Sequence, residues 1–154
     1  MIDISKISEI VEQLPDWVRP LSSGLDHLGL AVKDLDAALP FYRDLLGLEH
    51  LSTETIESDQ VRVAVLEFGG GHLELLEPTS PDSPVARFIE KRGPGLHHVA
   101  LRVNDCEIAL KALQDAGVTL IDSKPRIGAG GKIIGFVHPK STGGVLLELS
   151  QKPT

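Results

Sequence analysis

Two histidines and two glutamates in this chain are spaced as pairs. His27 precedes Glu74, and His98 precedes Glu148, by nearly the same interval, and each glutamate lies in a leucine-rich run, HLELLEP and VLLELSQ. Two neutral imidazoles and two carboxylates make an N2O2 donor set, suited to a borderline or hard divalent ion such as Co, Ni, Zn, Mn or Fe. One buried histidine is ordinarily a hydrogen-bonded core residue, and one glutamate between leucines is ordinarily the outward member of an alternating strand. Four ionisable residues at equivalent inward positions are a different matter. Unpaired buried charge is costly, so the four want a common partner.

Their equivalence rests on an internal repeat. His27-Leu-Gly-Leu-Ala-Val32 aligns with His98-Val-Ala-Leu-Arg-Val103 at an offset of 71. At the same offset Asp34 meets Asp105, Ala38 meets Ala109 and Leu39 meets Leu110, and Gly47 and Gly117 close the two helical stretches within one residue of that register. A repeat of this length is one supersecondary unit that cannot bury its apolar face alone. Each copy opens with an alternating strand, followed by a helix capped by Asp34 in the first copy and by Asn104 or Asp105 in the second. Pro40 kinks or delays the first helix; the second, Asp105 to Ala116, stops at Gly117. Three strands then follow in each copy, near 49–55, 60–68 and 72–77, and near 119–123, 133–138 and 145–149.

The expected fold is therefore α+β: two paired βαβββ modules forming a curved eight-stranded metal-binding cup. Module one spans 25–78 and module two 96–150, within a single domain of 24–154. The linker 79–95 holds three prolines, with Pro78 just ahead of it, and a short helical piece around 85–91. Residues 1–23 read as an N-terminal helical extension, with Ile7, Ile10, Val11 and Leu14 at helical spacing before Pro15 and Pro20.

The other candidates are weaker. His97 neighbours His98, and strand alternation sends it to the opposite face. His72 shares a face with Glu74 but has no repeat counterpart. His50 and His138 read as strand-end or loop residues, with substrate contact the only functional option for His138. Ile127-Gly-Ala-Gly-Gly-Lys132 lacks the strand-loop-helix setting of a phosphate loop and reads as a loop at the pocket mouth. Cys106 has no base placed beside it and reads as a filler residue in the second helix.

Bulk properties narrow the class. At 154 residues with 42% hydrophobic content the chain can bury a real core. A net charge of −7 without a Lys/Arg cluster argues against a nucleic-acid surface. One cysteine excludes a disulfide scaffold or cysteine-rich zinc site within one chain. The start, MIDISKISEIVEQLPDW, lacks signal-peptide features, and no apolar run approaches the roughly 18 residues of a membrane span. The expected setting is cytoplasmic, with no membrane partner.

The strings LDHLGLAV, FYRDLLGL and LHHVALRV resemble the vicinal-oxygen-chelate (glyoxalase/bleomycin resistance/dioxygenase) superfamily. HLELLEP, SPVARFIEKRGPGLHH, IGAGGK and HPKSTGGVLLEL are similar, more specifically, to its methylmalonyl-CoA epimerases, over roughly Leu25 to Gln151. The resemblance implies a divalent metal cofactor (Co, Mn, Ni or Zn) on His27, Glu74, His98 and Glu148, with Glu148 also the catalytic base. It further implies a small-molecule acyl-CoA substrate contacted by Gln60, Gly130, Gly131 and Lys140, and a homodimer. A second carboxylate base found in some family members aligns with Val63 here, so a symmetrical two-carboxylate mechanism is not expected and Gln60 or a bound water is left to serve the second face.

The implied reaction fits the donor set. Epimerisation at C2 removes a proton between a thioester and a carboxylate. A metal gripping both oxygens stabilises the enolate as charge develops, while a carboxylate moves the proton. The rivals are a glyoxalase I-type lactoylglutathione lyase using the same ligands, an extradiol-type dioxygenase using two His and one Glu on Fe(II), and a non-catalytic small-molecule-binding protein, whose kind commonly lacks the four ligands.

Overall fold

The computed structural model describes residues 2–154; Met1, the first residue of the expected N-terminal extension, lies outside them. The elements are α1 (Ile7–Gln13), β1 (Ser22–Ala31), α2 (Leu35–Leu39), β2 (His50–Ile56), β3 (Val61–Phe68), β4 (Gly71–Pro78), α3 (Pro84–Arg92), β5 (Gly95–Val103), α4 (Cys106–Asp115), β6 (Arg126–Ile127), β7 (Ile133–Val137) and β8 (Leu147–Gln151). The chain is α+β, and the order β-α-β-β-β recurs twice. Two compact units divide it: His27–His98, and 1–26 together with 99–154. His27 and His98 are the first and last residues of the former.

In the His27–His98 unit the strands run in the order β2-β3-β4-β1. β2, β3 and β4 form an antiparallel meander, and β1 adds to β4 in parallel, with His27 opposite His72 and Gly29 opposite Glu74. Alternation sorts the side chains. Leu28, Leu30, Leu73, Leu75, Ala64 and Leu66 pack against Leu35 and Leu39 of α2. His27, Gly29, His72, Glu74 and Leu76 therefore occupy the opposite face, because successive strand residues point to opposite sides. Asp34 caps α2 by accepting the Asp36 N–H at 2.9 Å, and Glu77 Oε2 accepts the Leu35 N–H at 2.8 Å. At Pro40, which has no N–H to donate, the helix passes into a π-helical stretch, Pro40–Leu45.

α3 closes this unit. Ser83, fully buried, accepts the Val85 N–H at 3.2 Å and donates to the Asp59 carbonyl at 3.1 Å. One hydroxyl thereby caps the helix and ties it to the turn before β3.

The second unit runs β5-β8-β7-β6. β5 and β8 are parallel, with Ala100 opposite Glu148 and Arg102 opposite Ser150. Val103 and Leu149 pack on Cys106, Ala109 and Leu110 of α4, which leaves Ala100, Glu148 and Ser150 on the other face. Asp105 is the residue that caps α4, accepting the Ile108 N–H at 2.9 Å, while Asn104 donates to the Trp17 carbonyl at 2.8 Å and so anchors the N-terminal segment. Gly135 of β7 admits the helix: a Cβ there would lie 2.7 Å from Leu110.

One expected strand is replaced. Residues 119–123 form only an isolated bridge, Leu120 to Val137, and the strand paired with β7 is the two-residue β6. The Asp122 carboxylate accepts the Phe136 N–H at 2.9 Å, substituting for a ladder bond, and Pro125 cannot donate one. β8 also begins two residues later than expected, after Gly143 and Gly144, both at positive φ. The expected helix of the N-terminal extension is α1. No described helix is long and apolar enough to cross a membrane.

Candidate metal centre

The face of the His27–His98 unit turned away from α2 carries a buried polar group. His27, Glu74 and His98 are 2%, 4% and 5% exposed. The imidazoles meet edge to face, with Nε2 of His27 3.0 Å from Nε2 of His98. That separation fits one N–H···N hydrogen bond. It equally fits two nitrogens each about 2.0–2.1 Å from a single ion. Gly29 provides the room: a Cβ at this position would fall 2.3 Å from the His98 ring.

Behind each ring stands an outer partner. His27 Nδ1 lies 3.2 Å from Glu74 Oε2. His98 Nδ1 lies 2.9 Å from His97 Nδ1, and the His97 ring rests against Phe88 of α3 with centroids 5.0 Å apart. Strand alternation alone leads one to expect no contact between His97 and His98, yet their Nδ1 atoms meet. The two rings lie edge to face with centroids 5.2 Å apart. Burial holds His98 well below the ordinary histidine range, with His27 and His97 adding to the effect; burial alone brings His97 to about 4. Both rings are neutral at pH 7, the form in which histidine binds a metal. His27 and His98 belong to a set of donors that could hold an ion, and this chemistry fits a borderline divalent cation.

Other expected residues take distinct places. His72 sits beside His27 in the register, its Nε2 3.9 Å from Glu67 and its Nδ1 buried without a hydrogen-bond partner. Gln60 adopts the left-handed conformation (φ 51°), the one residue other than glycine to do so among those described, and its carbonyl accepts the Thr79 N–H. Val63 is buried at 2%, and the register sets it between Leu76 of β4 and Glu54 of β2. Sequence reading passed over Glu54. The signal was available in its parity, which puts it on the Glu74 face and leaves it less exposed than Thr53 and Thr55 on either side.

In the other unit Glu148 is 4% exposed, on the face of β8 turned away from α4. Asp26, also buried, binds Lys132 Nζ at 2.7 Å and lies 3.7 Å from Arg102 Nε. Lys132 thereby anchors the glycine loop, which closes through Gly128 N–H to the Lys132 carbonyl at 2.9 Å, with Gly130 and Gly131 at positive φ. His138 Nδ1 accepts the Lys140 N–H at 3.1 Å and serves the turn. Lys140 is itself exposed. Burial pushes the Cys106 thiol up to about 12, with Asp105, Glu148 and Asp122 contributing, so it is no nucleophile.

Comparison with known proteins places this geometry in context. Residues 26–136 match the Glyoxalase/Bleomycin resistance protein/Dioxygenase superfamily. The chain is 39% identical over 129 residues to an ethylmalonyl-CoA/methylmalonyl-CoA epimerase of Cereibacter sphaeroides, covering 82% of this chain and 96% of that protein. It is 36% identical over 148 residues to the mitochondrial methylmalonyl-CoA epimerase of Homo sapiens, covering 96% and 84% respectively. A solved methylmalonyl-CoA epimerase in complex with methylmalonyl-CoA and NH4+ is 39% identical and superposes with a TM-score of 0.82 over 85% of this chain and 95% of that one.

Proposed function

The chain belongs to the glyoxalase/bleomycin resistance protein/dioxygenase superfamily and, within it, to the methylmalonyl-CoA epimerases, and we propose that it interconverts (2R)- and (2S)-methylmalonyl-CoA through an enolate. The observation that carries this reading is the buried pair of imidazoles meeting through Nε2, in a chain whose relatives are named for that activity over more than four-fifths of its length.

His27, His98 and Glu148 form the donor set in this reading, for Co, Mn, Ni or Zn, while Glu74, the fourth expected ligand, stands on His27 Nδ1 and orients that ring. An ion held there supplies Lewis acidity toward the thioester and carboxylate oxygens of the substrate. Equivalence supports the inclusion of Glu148. It occupies the repeat position of Glu74 and is buried to the same 4% exposure. Glu74 shares the face of His27 and already bears on its Nδ1.

Glu148 is the base on one side of C2. A buried carboxylate can take up the proton as the enolate forms and return it, a role worth roughly 10²–10⁴-fold in rate. Val63 offers no acceptor for the opposite side. Glu54, its cross-strand neighbour, is assigned that role. Gln60, the backbone N–H groups of Gly130 and Gly131, and the exposed ammonium of Lys140 are assigned to the acyl-CoA. The exposed Ile4, Val11 and Trp17 favour a homodimer with C2 symmetry, the commonest closed form. A lone buried thiol suits a cytoplasmic setting.

The test is a stereochemical assay of purified, metal-loaded protein against each epimer. Interconversion is expected. Turnover of a glutathione hemithioacetal with both epimers left untouched would replace this reading with a glyoxalase I-type activity.

A further inference from the structure

We propose that His97 is a positioning residue: its Nδ1 accepts the Nδ1–H of His98 and thereby fixes His98 in the tautomer whose Nε2 lone pair faces the centre. This rests on the assignment of His98 as a ligand, and it adds a residue that belongs to neither the donor set nor the acid–base pair.

The two Nδ1 atoms are 2.9 Å apart, so one proton lies between them. If His97 donates it, a neutral His98 carries its own proton on Nε2, pointed at Nε2 of His27, and has no lone pair there for an ion. If His98 donates it, Nε2 of His98 is bare and His97 keeps its proton on Nε2. Only the second arrangement makes His98 a ligand. An acceptor behind a ligating imidazole sets both its tautomer and its ring orientation, and His27 has a carboxylate in that place, Glu74 Oε2 at 3.2 Å.

The acceptor is itself held. The His97 ring meets Phe88 edge to face, at 5.0 Å and 72°, and the Arg92 guanidinium covers Phe88 at 5.9 Å. Phe88 and Arg92 lie on α3, whose start is pinned to the turn before β3 through Ser83. The linker helix therefore does more than connect. It sets the ring that sets the ligand.

Two variants of the full chain separate this role from simple packing. His97→Phe keeps a ring for Phe88 but removes the acceptor, whereas His97→Asn keeps an acceptor near the Nδ1 position. Zinc affinity, measured by competition with a chromogenic chelator, should fall about 10–100-fold in His97→Phe and recover most of that loss in His97→Asn. In zinc-loaded unmodified protein, long-range 1H–15N spectra should show His98 protonated at Nδ1 and His97 unprotonated there, a readout independent of whether either variant folds. Zinc binding within twofold of the unmodified chain in His97→Phe, or a proton on His97 Nδ1, overturns the proposal. Undiminished zinc binding in His98→Ala would instead remove the ligand assignment, and this proposal with it.

Discussion

The two histidines of the repeat are alike at the front and unlike at the back. Each stands two residues before a small residue, Gly29 or Ala100, on the first strand of its copy, and each presents Nε2 to the other. Behind His27 the hydrogen-bonding partner is a carboxylate from β4; behind His98 it is the next imidazole on the same strand. The residue preceding His27 is Asp26, and it is committed to Lys132 and Arg102. The positions that bring the two Nε2 atoms together are thus common to both copies, while the groups that meet the two Nδ1 atoms differ.

The largest effect tests the likeness. His27→Ala and His98→Ala should each abolish stoichiometric metal binding and turnover, and chelation should lower the melting temperature of the unmodified protein. At free ion a hundredfold above Kd the lost stabilisation is about 2.7 kcal/mol. Full metal content in either variant breaks the equivalence.

The next effect tests the acid–base pair. Glu148→Gln should lose roughly 10²–10⁴-fold in turnover with a much smaller loss of metal. Glu54→Gln should stop epimerisation yet leave solvent exchange at C2 of one epimer, because the base on the other side is intact. Exchange and epimerisation that stay together in both variants would return Val63's side of the site to water or to Gln60.

A smaller, purely steric effect sharpens the same comparison. Gly29→Val places a branched side chain where the His98 ring lies, so metal affinity should fall without loss of the α2 core. Affinity equal to that of the unmodified chain would show that the ring has room to retreat.

The smallest effect lies outside the site. The Cys106 thiol, pushed up to about 12 from 9.0, keeps its proton in the native state where the unfolded chain has released it. Its contribution to stability is therefore present below about pH 9 and declines between pH 9 and about 12. Alkylation at pH 8 should be slow in the native protein and fast once it is unfolded in urea; equal rates would contradict the burial.

The features that were legible in the sequence are those with a period. The alternation of HLGLAV and HVALRV sets the faces of β1 and β5, and the shared offset marks His27, His98, Glu74 and Glu148, all four of which are buried. Asp34 and Asp105 announced their helices because a side-chain oxygen ahead of an apolar stripe satisfies the first free N–H groups. Features that depend on one side chain replacing a backbone partner were not legible. Asp122 takes the Phe136 N–H that a strand at 119–123 would have taken, and the His97 ring meets the ring of the residue next to it, a contact no periodicity announces. Glu54 lay between these cases, visible in parity but without a repeat partner to mark it.

The central claim is that these residues move a proton at C2 of a malonyl-type thioester. It is tested most directly by incubating metal-loaded protein with (2R)- and then (2S)-methylmalonyl-CoA in D2O, and following both configuration and isotope. Each epimer is expected to yield the equilibrium mixture, with deuterium at C2 and none elsewhere in the acyl chain. Retention of configuration together with full retention of the C2 proton, in protein that demonstrably holds its metal, would contradict it.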